Sequence, residues 1–157
     1  MMRQLYFPQN PEEINQLLRI AKDWLSDLEG WSHHNAYAAA VIYQNRTVAV
    51  VIYCNQSHGN LEMHIASRSP AWCSRAILKK IFFYPFSYLG VRRVSALTKA
   101  SNHDAQKMLQ RLGFQWEGHC RQYYGPKDDA IAWGLLRDEC RWWQPLEPKY
   151  LIHSTIQ

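Results

Sequence analysis

The spacing of apolar residues changes several times along this chain, and these changes limit the folds that it can adopt. Residues 10 to 30 carry apolar side chains at helical spacing, with a capping residue at Asn10 and Pro11 in the first turn. The runs AYAAAVIY and TVAVVIYCN are rich in β-forming residues, and Gln44-Asn45-Arg46 between them predicts a hairpin. LEMHIAS predicts a third strand. Three successive antiparallel strands therefore follow the first predicted helix.

The second half of the chain alternates between helical and strand patterns. SRAILKKIFFYPF predicts a helix that ends or kinks at Pro85, and VRRVSALTK predicts a strand. A further helix precedes QYYG and AIAWGLL, which predict two strands around the turn PKDD. With short linkers, 157 residues and 47% hydrophobic residues, we predict one α/β domain over residues 1–157.

The segment SNHDAQKMLQRLGFQWEGHCR, residues 101 to 121, predicts the helix of this second half in most detail. Ser101 or Asn102 can cap the first backbone N–H groups, and Asp104 suits the positive end of the helix dipole. Gly113 supplies a left-handed residue that ends the helix, and Phe114 can fold back onto its last turn. The apolar residues that would face the sheet are Ala105, Met108, Leu109 and Leu112.

Charge, cysteine spacing and hydropathy narrow the class of protein. Lys and Arg number 18 against 13 for Asp and Glu, and this net charge of +5 favours anionic partners such as a phosphorylated cofactor, a nucleic acid or an acidic protein. The 4 cysteines lack C-x-x-C spacing, which argues against a zinc site or a disulfide framework and favours reduced, mostly buried thiols. No run of about 18 apolar residues and no secretory leader is seen, which predicts neither a membrane span nor export, and hence a cytoplasmic location.

Several motifs, taken in order, resemble one family. They are LEMHIAS, then YLGVRRVSALTKASNHDAQKMLQRLGFQWEGHCRQYY, then IAWGLLRDECRW, which together cover about residues 35 to 143. The GVRRV strand, the Asn that opens the next helix, the LGF that closes it and the EG that follows resemble the GNAT (Gcn5-related) N-acetyltransferases. Within that family the resemblance is to the ribosomal-protein-acetylase-like and phage-encoded branch. It implies the GNAT fold, a mixed central sheet of about six to seven strands flanked by helices.

The resemblance also implies an activity and its partners. Acetyl-CoA would be the cosubstrate, and a primary amine would attack its thioester directly in a ternary complex. The acceptor could be a protein N-terminus, a lysine, a small amine or a modified base, and the chain could be a monomer or a homodimer. Because a polyanionic cofactor explains the positive charge, we expect any nucleic-acid binding to be weak and independent of sequence.

In this family the loop between the fourth strand and the next helix holds the pyrophosphate through backbone N–H groups. Here that loop is SPAWCSRAI, and the residues assigned to it are Ser74, Arg75, Ala76 and Ile77. Of the usual glycine-containing pattern only Ala76 fits, because Ser74 replaces a Gly, while Arg75 and the nearby Arg68 add positive charge. The alternative interpretation is an ordinary helix N-terminus with a solvated Arg.

The resemblance assigns further cofactor contacts to Ile65 and Ala66 on the strand LEMHIAS and to Asn102, Ala105 and Leu109 on the later helix. The Asn102 carboxamide would bond the pantetheine amides, or would serve only as a helix cap, and both roles are compatible. Leu109 stands where many members have a Tyr that protonates the leaving thiolate. The acid would then be His103, Tyr123 or Tyr124, or the thiolate would depart unaided.

A base for the amine is expected on the strand LEMHIAS. Its period of two places Glu62 and His64 on one face, with Ala66, and an apolar set on the other: Leu61, Met63 and Ile65. The resemblance implies that Glu62 acts as the base, often through a water, with His64 as neighbour or substitute. His33 and His34, just before the first of the three predicted strands, are alternatives, and Glu62 could instead be an exposed structural residue at a sheet edge.

Two function classes follow. The first is an acetyl-CoA-dependent N-acetyltransferase, which the ordered cofactor-side motifs favour. The second is a non-catalytic module of the same fold that binds nucleic acid or protein through its basic face, which the replaced Gly and Tyr positions favour.

Overall fold

The computed structural model describes residues 2–25 and 30–143. Its strands are β1 (Gln4–Tyr6), β2 (Ala36–Tyr43), β3 (Arg46–Ser57), β4 (Asn60–Ser67), β5 (Arg93–Lys99), β6 (Gln115–Gly125) and β7 (Asp128–Leu136). Its α-helices are α1 (Pro11–Trp24), α2 (Arg75–Phe83) and α3 (His103–Leu112). The 7 strands form one sheet in the order β1-β2-β3-β4-β5-β7-β6. This mixed sheet flanked by helices confirms the fold class predicted from the sequence.

The helices cover both faces of the sheet and bury two separate apolar clusters. On one face α1 packs Leu17, Leu18 and Ala21 against small and β-branched residues of β2, β3 and β4. On the other face α2 and α3 pack against a larger cluster that includes Phe82, Leu112 and residues of β3, β4, β5 and β7. Each central strand is therefore covered on both sides, and a polar side chain there needs a partner.

The local signals for α1 and the first hairpin act as expected. The Asn10 side chain accepts a hydrogen bond from the Glu13 N–H at 2.9 Å, and Pro11 occupies the first turn. Gln44 and Asn45 have φ angles of 53° and 60°, the left-handed pair that a tight hairpin turn requires. The helix ends at Trp24, whereas the sequence predicted an end near Gly30, and residues 26–29 lie outside the described part of the chain.

Three elements differ from the prediction. The short strand β1 was not expected, because 3 residues carry no readable periodicity. Strand β6 begins at Gln115, not near Gln122. Helix α2 ends at Phe83 and continues as one wide turn, Tyr84–Tyr88, in which the Leu89 N–H donates to the Tyr84 carbonyl at 2.9 Å. Pro85, which cannot donate, lies in that turn, so the α-helix ends close to where the sequence predicted an end or a kink.

None of the described helices is long and apolar enough to cross a membrane. Cys54 and Cys140 are buried and Cys120 is partly buried, as expected of reduced, mostly buried thiols, but Cys73 is exposed in the connection before α2.

Candidate active site between two diverging strands

The sheet opens between β4 and β5. These two strands are parallel and pair only from Asn60 to Glu62 on β4 and from Arg93 to Ser95 on β5. Beyond that point β4 still pairs with β3 and β5 still pairs with β7, so each strand follows a different neighbour. In the described structure the facing edges of β4 and β5 therefore separate, and their backbone groups lose their mutual partners.

Side chains hold the closed end of this opening together. The Arg93 Nε donates to the Asn60 Oδ1 at 2.9 Å, and the Asn60 Nδ2 donates to the Ser95 Oγ at 3.1 Å. Arg93 also forms a two-pronged pair with Glu117 of β6, with an Nη2 to Oε1 distance of 2.7 Å. The point where β4 and β5 separate is therefore fixed by side chains from three strands, β4, β5 and β6.

A cavity of about 600 Å³ occupies the opening. Residues of β4, β5, α3 and β6 line it, together with Leu25 and Trp31 from the segment around the end of α1. One side carries the apolar wall of α3, formed by Ala105, Met108 and Leu109. The opposite side carries Glu62, His64 and Trp31, so the cavity connects the two faces of the sheet.

Glu62 and His64 are in direct contact on this second side. The His64 Nε2 lies 2.9 Å from the Glu62 Oε2, and the side chains are only 15% and 18% exposed, respectively. The hydrogen bond from His64 lowers the pKa of the Glu62 carboxyl, and this effect outweighs burial, which acts to raise it. The carboxylate is therefore ionised at neutral pH, in contact with an imidazole.

Two residues that the sequence did not single out complete this cluster. The Cys54 thiol donates to the Glu62 Oε2 at 3.2 Å, and the Asn55 Nδ2 donates to the same oxygen at 3.1 Å. Burial, assisted by the nearby Glu62 carboxylate, raises the pKa of the Cys54 thiol, so this sulfur keeps its proton. One carboxylate oxygen thus accepts three hydrogen bonds, which accounts for its position in a half-buried site.

A bulge in β3 produces this arrangement. The register between β3 and β4 shifts between Cys54 and Ser57, and Asn55 has a left-handed φ of 52°. Ser57 pairs with Asn60, whereas Cys54 pairs with Glu62, so the bulge moves Cys54 to the face of Glu62. A regular hairpin built on the Ser57 and Asn60 pair would instead have placed Cys54 opposite Met63. The sequence predicted that these two strands are antiparallel, and the tight turn at His58 and Gly59 agrees with that pairing. No residue pattern indicated the bulge.

The structure separates the other candidate bases from the cavity. The His33 Nδ1 lies 3.0 Å from the Asn15 Nδ2 of α1, and its ring contacts His34 with centroids 3.8 Å apart. Neither histidine lines the cavity, and neither does His103. Trp31, which the sequence did not single out, packs on the ring of His64 with centroids 4.8 Å apart.

The candidate cofactor residues fall into two groups. Ile65, Asn102, Ala105 and Leu109 line the cavity, as do Tyr123 and Tyr124 of β6. The Asn102 Oδ1 caps α3 by accepting from the Ala105 N–H at 3.1 Å. The second group does not line the cavity and consists of Ala66, Ser74, Arg75, Ala76 and Ile77.

The second group has clear local roles. Ala66 is fully buried in the cluster beneath α1. The Ser74 Oγ caps α2 by accepting from the Ile77 N–H at 3.2 Å, and the Arg75 guanidinium lies over the Trp142 ring at 5.9 Å. The Arg68 guanidinium lies over the Trp24 ring at 5.6 Å. In the predicted phosphate loop Ser74 caps the start of α2 and Arg75 lies over a tryptophan ring, as does Arg68 just before the loop.

No protein-family model matches this chain. A segment of 47 residues is 38% identical to the uncharacterized N-acetyltransferase YoaA of Bacillus subtilis, and it covers 30% of this chain and 27% of that protein's length. The match therefore spans about a quarter of the curated relative.

Solved structures match over most of the chain. A variant of the spermidine N-acetyltransferase SpeG from Vibrio cholerae superposes with a TM-score of 0.70 at 14% identity, over 87% of this chain and 94% of that one. A protein named as an acetyltransferase of the GNAT family, from Desulfovibrio desulfuricans, superposes with a TM-score of 0.68 at 15% identity, over 87% and 99%. At these low identities the superpositions establish the architecture alone. This chain has the fold of the GNAT acetyltransferases.

Proposed function

We propose that this chain is an N-acetyltransferase that moves an acetyl group from acetyl-CoA to a primary amine by direct attack within a ternary complex. The observation that carries the proposal is the contact between Glu62 and His64 beside a cavity that passes between β4 and β5. A titratable pair in a concave site, with one member's pKa shifted by the other, is a typical acid–base centre. The similarity to N-acetyltransferases supports the same chemistry.

The two sides of the cavity suit two different substrates. The apolar wall of α3 suits the pantetheine chain and the thioester, while the side with Glu62, His64 and Trp31 suits an amine. Acetyl-CoA would therefore lie along α3, and the acceptor would enter from the face that α1 covers. The amine and the thioester carbon would meet where β4 and β5 separate, as direct transfer requires.

Glu62 and His64 would together remove the proton of the ammonium group. In the tautomer that donates its Nε2–H to Glu62, the His64 Nδ1 carries the lone pair that can accept a proton, directly or through a water. The lowered pKa of Glu62 makes its carboxylate the weaker base, and its charge stabilises the protonated ring that forms.

The neutral amine would then attack the carbonyl carbon. The new N–C bond forms as the C–S bond breaks, and CoA leaves as a thiolate. Leu109 cannot protonate that thiolate, because an aliphatic side chain has no donor. Tyr123 and Tyr124 line the same cavity and are the two candidate donors, while His103 lies outside it.

The cofactor would be held by backbone and side-chain groups of the opening. The separated edges of β4 and β5 offer backbone donors and acceptors to the pantetheine amides, much as a sheet edge pairs with an added strand. Within the described structure the Asn102 Nδ2 has no hydrogen-bond partner, so it can donate to a pantetheine carbonyl while the Oδ1 caps α3. Ile65 and Ala105 would pack against the same chain, and Ala66 would contribute only backbone.

We place the phosphates near the start of α2, at Ser74, Arg75, Ala76 and Ile77. This assignment rests on the family resemblance and on the positive end of a helix of 9 residues. The Ile77 N–H is already bonded to Ser74, so the remaining N–H groups and the side chains of Arg75 and Arg68 would carry the contact.

The acceptor class extends from a small amine to a lysine or a protein N-terminus. Several structural neighbours are named spermidine N-acetyltransferase, and one of these is described as dodecameric, so polyamines belong in the acceptor panel and assembly must be measured. For this chain we keep the proposal of a monomer or a homodimer.

The experiment measures CoA release from acetyl-CoA with a panel of polyamines, amino-acid amides and peptides with free N-termini. Calorimetric titration should give low-micromolar or weaker affinity for acetyl-CoA. Acetyl-pantetheine, which lacks the phosphates, should bind at least tenfold more weakly, which corresponds to a loss of about 1.4 kcal/mol of binding free energy. Equal affinities would contradict the phosphate assignment at α2.

Absence of both acetyl-CoA binding and turnover would contradict the proposed function. A duplex DNA that bound at nanomolar affinity in physiological salt, with discrimination between sequences, would then favour the non-catalytic module.

A further inference from the structure

The cluster around Glu62 brings three kinds of metal-ligating atom together. The Cys54 Sγ, a carboxylate oxygen of Glu62 and a ring nitrogen of His64 all lie within 4.8 Å of one another. Within residues 2–25 and 30–143 this is the one group of three such residues that lie so close together. The spacing of cysteines had argued against zinc, but that argument concerned only pairs of cysteines near each other in sequence. We infer that Cys54, Glu62 and His64 form a binding site for one thiophilic divalent cation of the Zn²⁺ class.

The distances suit such an ion after small side-chain movements. Zinc binds sulfur at about 2.3 Å and nitrogen or oxygen at about 2.0 to 2.2 Å, which in a tetrahedron separates ligand atoms by roughly 3.3 to 3.7 Å. The Sγ to Oε2 distance is 3.2 Å and the Nε2 to Oε2 distance is 2.9 Å. Metal coordination would therefore widen these two contacts by a few tenths of an ångström. The third pair, the Cys54 sulfur and the His64 ring nitrogen, lies within 4.8 Å and would have to close by up to about 1 Å to reach tetrahedral spacing, which rotations of the Glu62 and His64 side chains can supply.

The charge balance favours a doubly charged cation. When the ion binds, the Cys54 Sγ–H loses its proton to solvent, His64 changes tautomer so that Nδ1 carries the ring proton and Nε2 binds the ion, and the two hydrogen bonds that these residues made to Glu62 are replaced by coordination. A thiolate and a carboxylate then neutralise the 2+ charge, so the half-buried site carries no net charge. Thiolate and imidazole select zinc-like ions over calcium or magnesium, which prefer oxygen ligands.

The backbone holds these ligands in place. Cys54 and Glu62 are direct partners on paired strands, and His64 lies two residues further along β4 on the same face. The Asn55 amide bonds Glu62 at 3.1 Å and can keep this contact as an outer partner of the metal ligand. Glu62 and His64 line the cavity, so an ion can reach the site, and its fourth position would face the cavity.

A bound ion would occupy the nitrogen and the oxygen that the proposed base uses. If the proposed function holds, zinc should inhibit acetyl transfer by competing with the amine and not with acetyl-CoA. Ion binding itself does not depend on any activity, so the two inferences can fail separately.

The test titrates the full chain with Co²⁺, which substitutes for zinc and gives visible and near-ultraviolet absorption. We expect saturation at one equivalent, with a thiolate-to-cobalt charge-transfer band that added Zn²⁺ abolishes. Cys54→Ser should remove this band, and Cys54→Ser or His64→Ala should weaken Co²⁺ binding at least tenfold, as loss of a ligand predicts.

The matched control is a variant that combines Cys73→Ser with Cys120→Ser, which keeps Cys54 and changes only exposed or partly buried thiols. It should retain the band at unchanged affinity, and because it does not alter the site, it remains informative even if Cys54→Ser fails to fold. Absence of a thiolate band in the wild-type protein, or its loss in this control variant, would overturn the inference.

Discussion

Glu62→Gln tests the chemistry of the proposed site while it leaves the shape of the site unchanged. Glutamine keeps the size of the side chain and an oxygen that can accept from Cys54, Asn55 and His64, but it removes the charge. If His64 becomes protonated during the reaction, Glu62 interacts with that charge across 2.9 Å. At an effective dielectric constant of about 20, this attraction is roughly 6 kcal/mol, an upper limit.

Water in the cavity reduces that value, since both side chains keep 15% to 18% of their surface exposed. We therefore expect kcat/KM for the amine to fall by about 10² to 10⁴, the usual contribution of a general base. That range corresponds to about 3 to 5 kcal/mol of transition-state stabilisation. Affinity for acetyl-CoA should stay nearly unchanged, because Glu62 lies on the amine side of the cavity.

The assay measures initial rates with the best acceptor from the panel, together with calorimetric titration of acetyl-CoA. Asp129→Asn is the matched control, because Asp129 also pairs with an imidazole, the His119 Nε2 at 2.7 Å, but lies outside the cavity. The control should retain wild-type kcat/KM. If Glu62→Gln, His64→Ala and their double variant all retain wild-type turnover at pH 7, this strand does not supply the base. The search would then move to His33, His34 or the part of β6 after Gly118.

Three further predictions concern stability and cofactor contacts. Thr98→Val should lower the free energy of unfolding by about 1 to 3 kcal/mol in urea titrations, because the buried Trp133 Nε1, which donates to the Thr98 Oγ1 at 2.9 Å, would lose its acceptor. An unchanged midpoint would contradict this account. Asn102→Ser should keep the cap of α3 and the stability of the fold, whereas Asn102→Ala should lower the free energy of unfolding by about 1 kcal/mol. Both variants should weaken acetyl-CoA binding if the carboxamide contacts pantetheine. If instead Asn102→Ser binds acetyl-CoA as the wild type does, Asn102 acts only as a cap. The folded protein lowers the pKa of Glu62 below its ordinary 4.5, so ionised Glu62 stabilises the fold fully above that pH, and this contribution is lost as the pH falls through the lowered value. The urea midpoints of Glu62→Gln should therefore fall less steeply below pH 4.5 than those of the wild type. Parallel curves would refute the linkage.

Much of the fold was predictable because its signals are local. The caps at Asn10 and Asn102, the turn at Gln44 and Asn45, and the left-handed Gly113 each act within a few residues. Alternation along β4 likewise placed Glu62 and His64 on one face, since a strand repeats every two residues. Strand β1 was missed because it exists only through its pairing with β2.

The sequence by itself determined the helices, the hairpins and the face of β4 that carries Glu62 and His64, whereas the mixed sheet was expected only from the family resemblance. Only the tertiary structure decided that β4 and β5 separate after Glu62, because that depends on which neighbour each strand follows. The contact of Cys54 and Asn55 with Glu62 was likewise decided there. It depends on a bulge that changes the register by one residue, and neither periodicity nor propensity encodes register across strands.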